Sequence, residues 1–185
     1  VTELIRQYRQ QYPDVEMTLS QGDSETLVAQ LRSGAIDAAF VRPPFALDGG
    51  LAFTQLAEEP LVVALPLGHP LARRKRLAPA DLAQERFILY SRKSGYGLSA
   101  DIMAACRQHG LNPQIGQRAP QLSSAVNLVA AGMGVAVVPE SLRHLRPDGV
   151  VYRPFALDWP RAVLGLAVRE QGAGGRARNL LALAG

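Results

Sequence analysis

The chain has 185 residues, 48% hydrophobic and 19% charged, a globular composition that excludes an extended disordered segment. Twenty basic and 16 acidic side chains leave a net charge of +4, too mild for a protein that grips nucleic acid along its whole surface. The one cysteine, Cys106, excludes a disulfide framework and a cysteine-based metal site, and no stretch approaches the roughly 18 apolar residues of a membrane span.

In chain order, Leu4, Ile5 and Tyr8 recur at helical spacing, and Tyr12-Pro13-Asp14 ends that helix. Residues 15–19 alternate apolar and polar, which predicts a strand. Gly22-Asp23-Ser24 opens a helix that turns Leu27, Val28 and Leu31 inward and stops at Gly34. A short apolar strand over 36–41 follows, then Pro43-Pro44 and Gly49-Gly50 in a loop. Strands over 51–56 and 61–65 flank Glu58-Glu59-Pro60. The cluster Arg73-Arg74-Lys75-Arg76 reads as a solvated surface loop, with contact to phosphate as the other reading.

A turn over 80–83 leads to a strand over 87–90. The helix near 99–109 carries Ile102, Met103 and Cys106 inward, so Cys106 reads as a core thiol rather than a nucleophile. Beyond Gly110 come a strand near Ile115, a helix over 123–131 and a strand over 135–138. Strands over 150–153 and 163–168 and a helix from about Arg176 complete the chain. Strands alternating with helices imply an α/β fold with a largely parallel sheet.

The stretch "VAAGMGVAVVP", residues 129–139, carries glycines that invite comparison with a phosphate-binding loop. A dinucleotide fingerprint places its glycines after a strand and before a helix. Here Val126, Val129, Ala130 and Met133 have helical spacing, and the β-branched run follows the glycines. Gly132 is therefore read as a left-handed residue ending a helix. His69, His109 and His144 lie in no zinc-ligand spacing, and neither a GxSxG elbow nor a Walker loop is present. No cofactor, no metal and no catalytic residue are expected.

What recurs is a serine opening a helix: Ser24, Ser99 and Ser123. Each is most simply an N-cap, contributing about 1 kcal/mol. In open α/β sheets, however, helix N-termini that follow strand ends line the ligand crevice, where free amides and the helix dipole favour a carboxylate or phosphate. Arg42 follows the strand 36–41 directly and would emerge at that same edge.

In order and spacing, "LRSGAIDAAFVRPP", "EEPLVVALPLGHPLA" with "LAPADLAQERFILY", "HGLNP" and "LVAAGMGVAVVPESL" resemble the effector-binding domain of LysR-type transcriptional regulators. The similarity covers nearly the whole chain and leans toward the branch responding to benzoate, cis,cis-muconate and related aromatic catabolites. The resemblance implies two Rossmann-like lobes of the type II periplasmic-binding-protein fold joined by two crossover strands. Lobe one would hold residues 1–57 and 156–185, and lobe two residues 58–155. The family's N-terminal winged helix-turn-helix and the first strand of lobe one are expected to be absent from this chain.

On that resemblance, a small organic acid effector, aromatic or dicarboxylate, would sit between the lobes. Ser24 would meet its carboxylate, and the loop Tyr96-Gly97-Leu98 would offer backbone N–H groups and an apolar wall. Ser123 is a further candidate at its helix start. Arg42 would either bind a carboxylate or pair with an acidic neighbour. The resemblance further implies a cytoplasmic, non-enzymatic protein that is a homotetramer at full length, with effector domains pairing antiparallel through the helices 24–33 and 123–131, where Ala29, Ala125 and Ala130 allow close approach. It would meet promoter DNA and RNA polymerase only through the full-length protein and would meet no membrane. A periplasmic solute-binding protein for a small carboxylate shares the fold, as do some enzymes of dehydratase or deaminase type.

Overall fold

The computed structural model describes residues 1–45, 50–90, 97–145, 148–170 and 174–184. Its helices are α1 (Thr2–Gln11), α2 (Ser24–Ser33), α3 (Gly97–Gln108), α4 (Leu122–Ala130) and α5 (Gly175–Ala184). Its strands are β1 (Ala38–Val41), β2 (Leu51–Glu59), β3 (Leu61–Pro66), β4 (Arg86–Tyr90), β5 (Gln114–Ala119), β6 (Ala136–Pro139), β7 (Val150–Pro154) and β8 (Ala162–Arg169). Short 3₁₀ turns occupy Pro70–Arg73, Pro79–Leu82 and Glu140–His144. The chain divides into two compact units, Val1–Glu58 with Val163–Gly185, and Glu59–Ala162. Among the described residues no helix is long and apolar enough to cross a membrane.

Unit 1 is a three-layer arrangement dictated by the two-residue period of its strands. Its sheet has the order β1-β8-β2, with Ala38 opposite Val168 and Val41 opposite Gly165 in the antiparallel β1–β8 pair. Leu166 and Val168 face one way and pack with Leu4 and Tyr8 of α1 and Ala177 and Leu180 of α5. Ala167 faces the other way with Ala39 and Val41, onto Val28 and Leu31 of α2. Leu31 is wholly buried, a burial that contributes about 1.5–3 kcal/mol. α2 stops at Gly34, whose φ of 78° is left-handed, and Arg169 Nη1 donates to the carbonyls of Leu31 and Ile36 at 2.7 and 2.8 Å. A cation therefore sits against the negative end of the α2 dipole.

In unit 2, β4 and β5 are parallel, and a parallel bridge between Phe87 and Val135 sets β4 beside β6. β3 lies between β6 and β7 and runs against both. Helices α3 and α4 contribute Ile102, Cys106, Ala125, Val126 and Val129 to the core over this sheet. The expectation of a largely parallel sheet thus fails at β3 and β8. Parallel neighbours need a crossover, usually a helix. Each of these two strands enters its unit straight from the other one, with no such helix, and runs against the neighbour it joins.

Three further differences from the sequence expectation have local causes. Residues 15–20 form no regular element and join no ladder among the described residues, although Val15 and Met17 still turn onto the α1–α5 core. Residues 156–162 pack within unit 2, held by Trp159 stacked on Phe155 at 3.9 Å and by buried Ala162. Ala125 is fully buried in the core of unit 2, so it offers no surface for a neighbouring chain.

The glycines of 129–139 do two separate jobs. α4 ends at Ala130 with Ala131 as its C-cap, and Gly132 takes the left-handed conformation at φ 75°. Gly134 has φ 146°, and a Cβ there would collide with the Arg86 carbonyl oxygen. That close approach lets Val135 N–H donate to Arg86 O, and Ile88 N–H to Val135 O, both at 2.8 Å. Helix, turn and strand follow in that order, which excludes a nucleotide loop here.

Candidate functional site

The unit 1 residues meet at the C-terminal end of β1. Asp23, not Ser24, is the N-cap of α2, and its Oδ1 accepts from Thr26 N–H at 2.8 Å. Ser24 is the first helical residue, one step further on, and its Oγ accepts the Arg42 backbone N–H at 3.1 Å. This bond spans 18 residues and ties the start of α2 to the end of β1. Because Oγ acts as the acceptor in that bond, the hydroxyl hydrogen can still be donated to another acceptor. Arg42 extends its Nη1 to the Val163 carbonyl at 3.4 Å. Phe45 and Phe53 form an edge-on pair at 5.4 Å, and Phe53 lies so close over Gly165 that any Cβ there would overlap its ring. A serine, a guanidinium and an aromatic pair thus come from neighbouring elements of one unit.

The unit 2 candidates lie along one edge of its own sheet. β4 and β5 are parallel neighbours, followed in turn by α3 and α4, so both helices begin at the same sheet edge. Tyr96 lies outside the described residues. Gly97 and Leu98, expected in a loop, open α3. Gly97 has φ 61°, a conformation suited to glycine. Leu98 is buried in the unit's own core, since it shares the i, i+4, i+8 stripe of Ile102 and Cys106. It therefore packs inward rather than walling a ligand.

The three serines correct the capping expectation. Ser99 lies within α3, buried, and its hydroxyl donates to the Tyr90 carbonyl, tying the end of β4 to the first turn of α3. The N-cap of α4 is Gln121, and Ser123 stands two residues inside, its Oγ 3.5 Å from Gln121 Oε1. Hydroxyl residues within the first turn look the same in sequence as caps one or two positions earlier. Asp101, on α3, has its carboxyl pushed up by burial. Burial also pushes the Cys106 thiol up to about 11, which agrees with an inert core thiol.

A hollow of about 720 Å³ lies elsewhere on unit 1, lined by Ile5, Arg9, Tyr12, Val15, Met17 and Leu19 among others. It includes neither Ser24 nor Arg42, and it lies along residues 15–19, which join no ladder among the described residues. Among the described residues no group of three or more His, Cys, Asp or Glu side chains could hold a metal ion.

In unit 1 a helix start is thus tied to a strand end of an α/β sheet, with the Ser24 hydroxyl and the Arg42 backbone bonded to each other. The model of the LysR substrate binding domain matches residues 1–184, and the chain belongs to that family. The HTH-type transcriptional regulator CatR of Pseudomonas putida is 39% identical over 153 residues, 81% of this chain and 51% of that protein. The HTH-type transcriptional regulator TtuA of Agrobacterium vitis is 35% identical over 155 residues, 82% of this chain and 50% of the relative. The solved BenM effector binding domain with its effector benzoate superposes with a TM-score of 0.82 at 28% identity, covering 100% of this chain and 83% of that one. The chain therefore spans about half the length of these curated relatives, both of them transcriptional regulators.

Proposed function

We propose that this chain is the ligand-sensing domain of a LysR-type transcriptional regulator whose effector is a small organic acid, aromatic or dicarboxylic. One observation carries the reading: Ser24 Oγ is held by the Arg42 N–H at 3.1 Å, at the first turn of α2. The Ser24 hydroxyl stands in the first turn of α2, where a carboxylate is favoured, and Arg42, bonded to it through its backbone, is the cation proposed to meet that carboxylate. Phe45, three residues after Arg42 in the chain, and Phe53, paired with it, offer apolar surface in the same unit, which suits an aromatic acid. The likeness to a benzoate-bound effector domain points the same way. In unit 2, taken by itself, the first-turn amide of Gly97 and the Ser123 hydroxyl are the proposed ligand groups, and Tyr96 remains a candidate outside the described residues.

Nothing in this reading breaks a covalent bond. The acid acts only through unequal affinity for two arrangements of the domain. In the full-length regulator that difference would change how promoter DNA and RNA polymerase are engaged, in a cytoplasmic homotetramer assembled through these domains. Calorimetry on the full-length regulator with a panel of aromatic and dicarboxylic acids tests the placement. Losing one charge-assisted hydrogen bond removes about 1.5–3 kcal/mol, so Ser24→Ala should weaken the cognate acid about 10- to 150-fold. Arg42→Met should weaken it by a similar factor. Unchanged affinity in both variants overturns the placement.

A further inference from the structure

The charge of the chain is unevenly divided. Unit 2 holds 13 basic and 7 acidic residues, whereas unit 1 holds 7 basic and 9 acidic, so one unit is strongly cationic and the other weakly anionic. The densest part of the excess is the exposed run Arg73-Arg74-Lys75-Arg76. This run is firmly anchored at both ends. Before it, Leu71 N–H donates to His69 Nδ1, and Arg153 grips the Ala72 carbonyl through Nε and Nη2 at 3.1 and 2.7 Å. After it, wholly buried Leu77 exchanges backbone bonds with Pro154 and Ala156 at 3.0 and 2.8 Å.

The nearby carboxylates are already engaged. Asp81 pairs with Arg74 at 2.8 Å and accepts the Ala78 N–H at 2.9 Å, while Glu85 lies 3.3 Å from His69 Nε2. Arg76 and Arg153 reach backbone carbonyls, which accept hydrogen bonds without neutralising a charge. Arg73 and Lys75 project from the same anchored loop. A rigid cluster of cations with a single compensating acid attracts a polyanion and loses little side-chain freedom to the backbone when it binds one. No aromatic side chain lies in residues 71–77, so the loop has nothing on which to stack a base.

We infer that the loop 73–76 contacts the phosphate backbone of duplex DNA, without sequence preference, when the whole regulator is seated on its promoter. The inference rests on the reading of this chain as part of a DNA-bound regulator. Fluorescence anisotropy of the 185-residue chain against a labelled scrambled duplex of about 30 base pairs tests it, between about 50 and 200 mM salt. The expected result is weak binding that falls with salt, with a log–log slope smaller by about 2 in the R73Q/K75Q variant, one for each phosphate contact removed. Poly-glutamate, a polyanion of lower charge density than the duplex, should bind more weakly than the DNA. Absence of duplex binding at the lowest salt, an unchanged slope in the variant, or binding to poly-glutamate instead of DNA overturns the inference. The R73Q/K75Q full-length regulator should keep the parent's effector affinity by calorimetry, so a failed DNA contact is distinguishable from a failed sensing assignment.

Discussion

Replacing Gly134 by alanine tests the close approach of β6 to β4. The residue holds φ 146°, and its Cβ would meet the Arg86 carbonyl oxygen, which is backbone and cannot rotate away. Conformational strain of this kind costs about 1–3 kcal/mol. Relieving the overlap by moving β6 also weakens the two 2.8 Å bonds that Val135 makes with Arg86 and Ile88, at about 1 kcal/mol each. The total is about 3–5 kcal/mol against a domain stability of about 5–15 kcal/mol. Gly132→Ala is the control. Its φ is 75° but the space around it is open, so about 1–2 kcal/mol is expected. Urea unfolding followed by the fluorescence of Trp159, the single tryptophan and a core residue of unit 2, reads both variants. With a slope of about 2 kcal/mol per M, the Gly134→Ala midpoint should fall by about 2 M and the Gly132→Ala midpoint by about 0.7 M. Equal midpoints for the two variants would refute the steric reasoning.

Ser99→Ala leaves the Tyr90 carbonyl without its hydroxyl donor in a buried place, and should cost about 1–3 kcal/mol in the same unfolding assay; no change would show the bond to be dispensable. The Cys106 thiol ionises near 9.0 when unfolded but only at about 11 in the fold, so its contribution is present below pH 9 and is lost as pH rises toward 11. Stability should therefore fall over that interval, and by less in Cys106→Ala; an equal fall in both proteins would assign it to other groups. Self-association through the exposed faces of α2 and α4 should appear as a dimer in sedimentation at high concentration, and a strictly monomeric species would count against it.

Most elements were legible in the sequence because apolar spacing reports burial directly. The stripe Leu98, Ile102 and Cys106 marks the core face of α3, and the run before Pro139 marks a buried strand. Strand direction was not legible, since a buried apolar run reads the same both ways, and β3 and β8 were reversed by the route of the chain. In the candidate site, Arg42 stands directly after β1, so its place at that sheet edge could be read. Its bond to Val163, 121 residues away, could not. Neither could the exact helix starts: Asp23 caps α2 while Ser24 turns to Arg42, a division of labour between adjacent polar residues that hydropathy does not record. The aromatic pair was missed because Phe45 and Phe53 lie eight residues apart in the sequence, and only the fold brings their rings together.

The most direct test of the central claim is a crystal structure of the full-length regulator with the acid that binds it most tightly in calorimetry. The ligand carboxylate is expected at about 2.7–3.2 Å from Ser24 Oγ and from the Arg42 guanidinium, with the first-turn amides of α2 facing it. An acid lodged instead in the hollow between Ile5 and Leu19, with Ser24 and Arg42 untouched, would contradict the account.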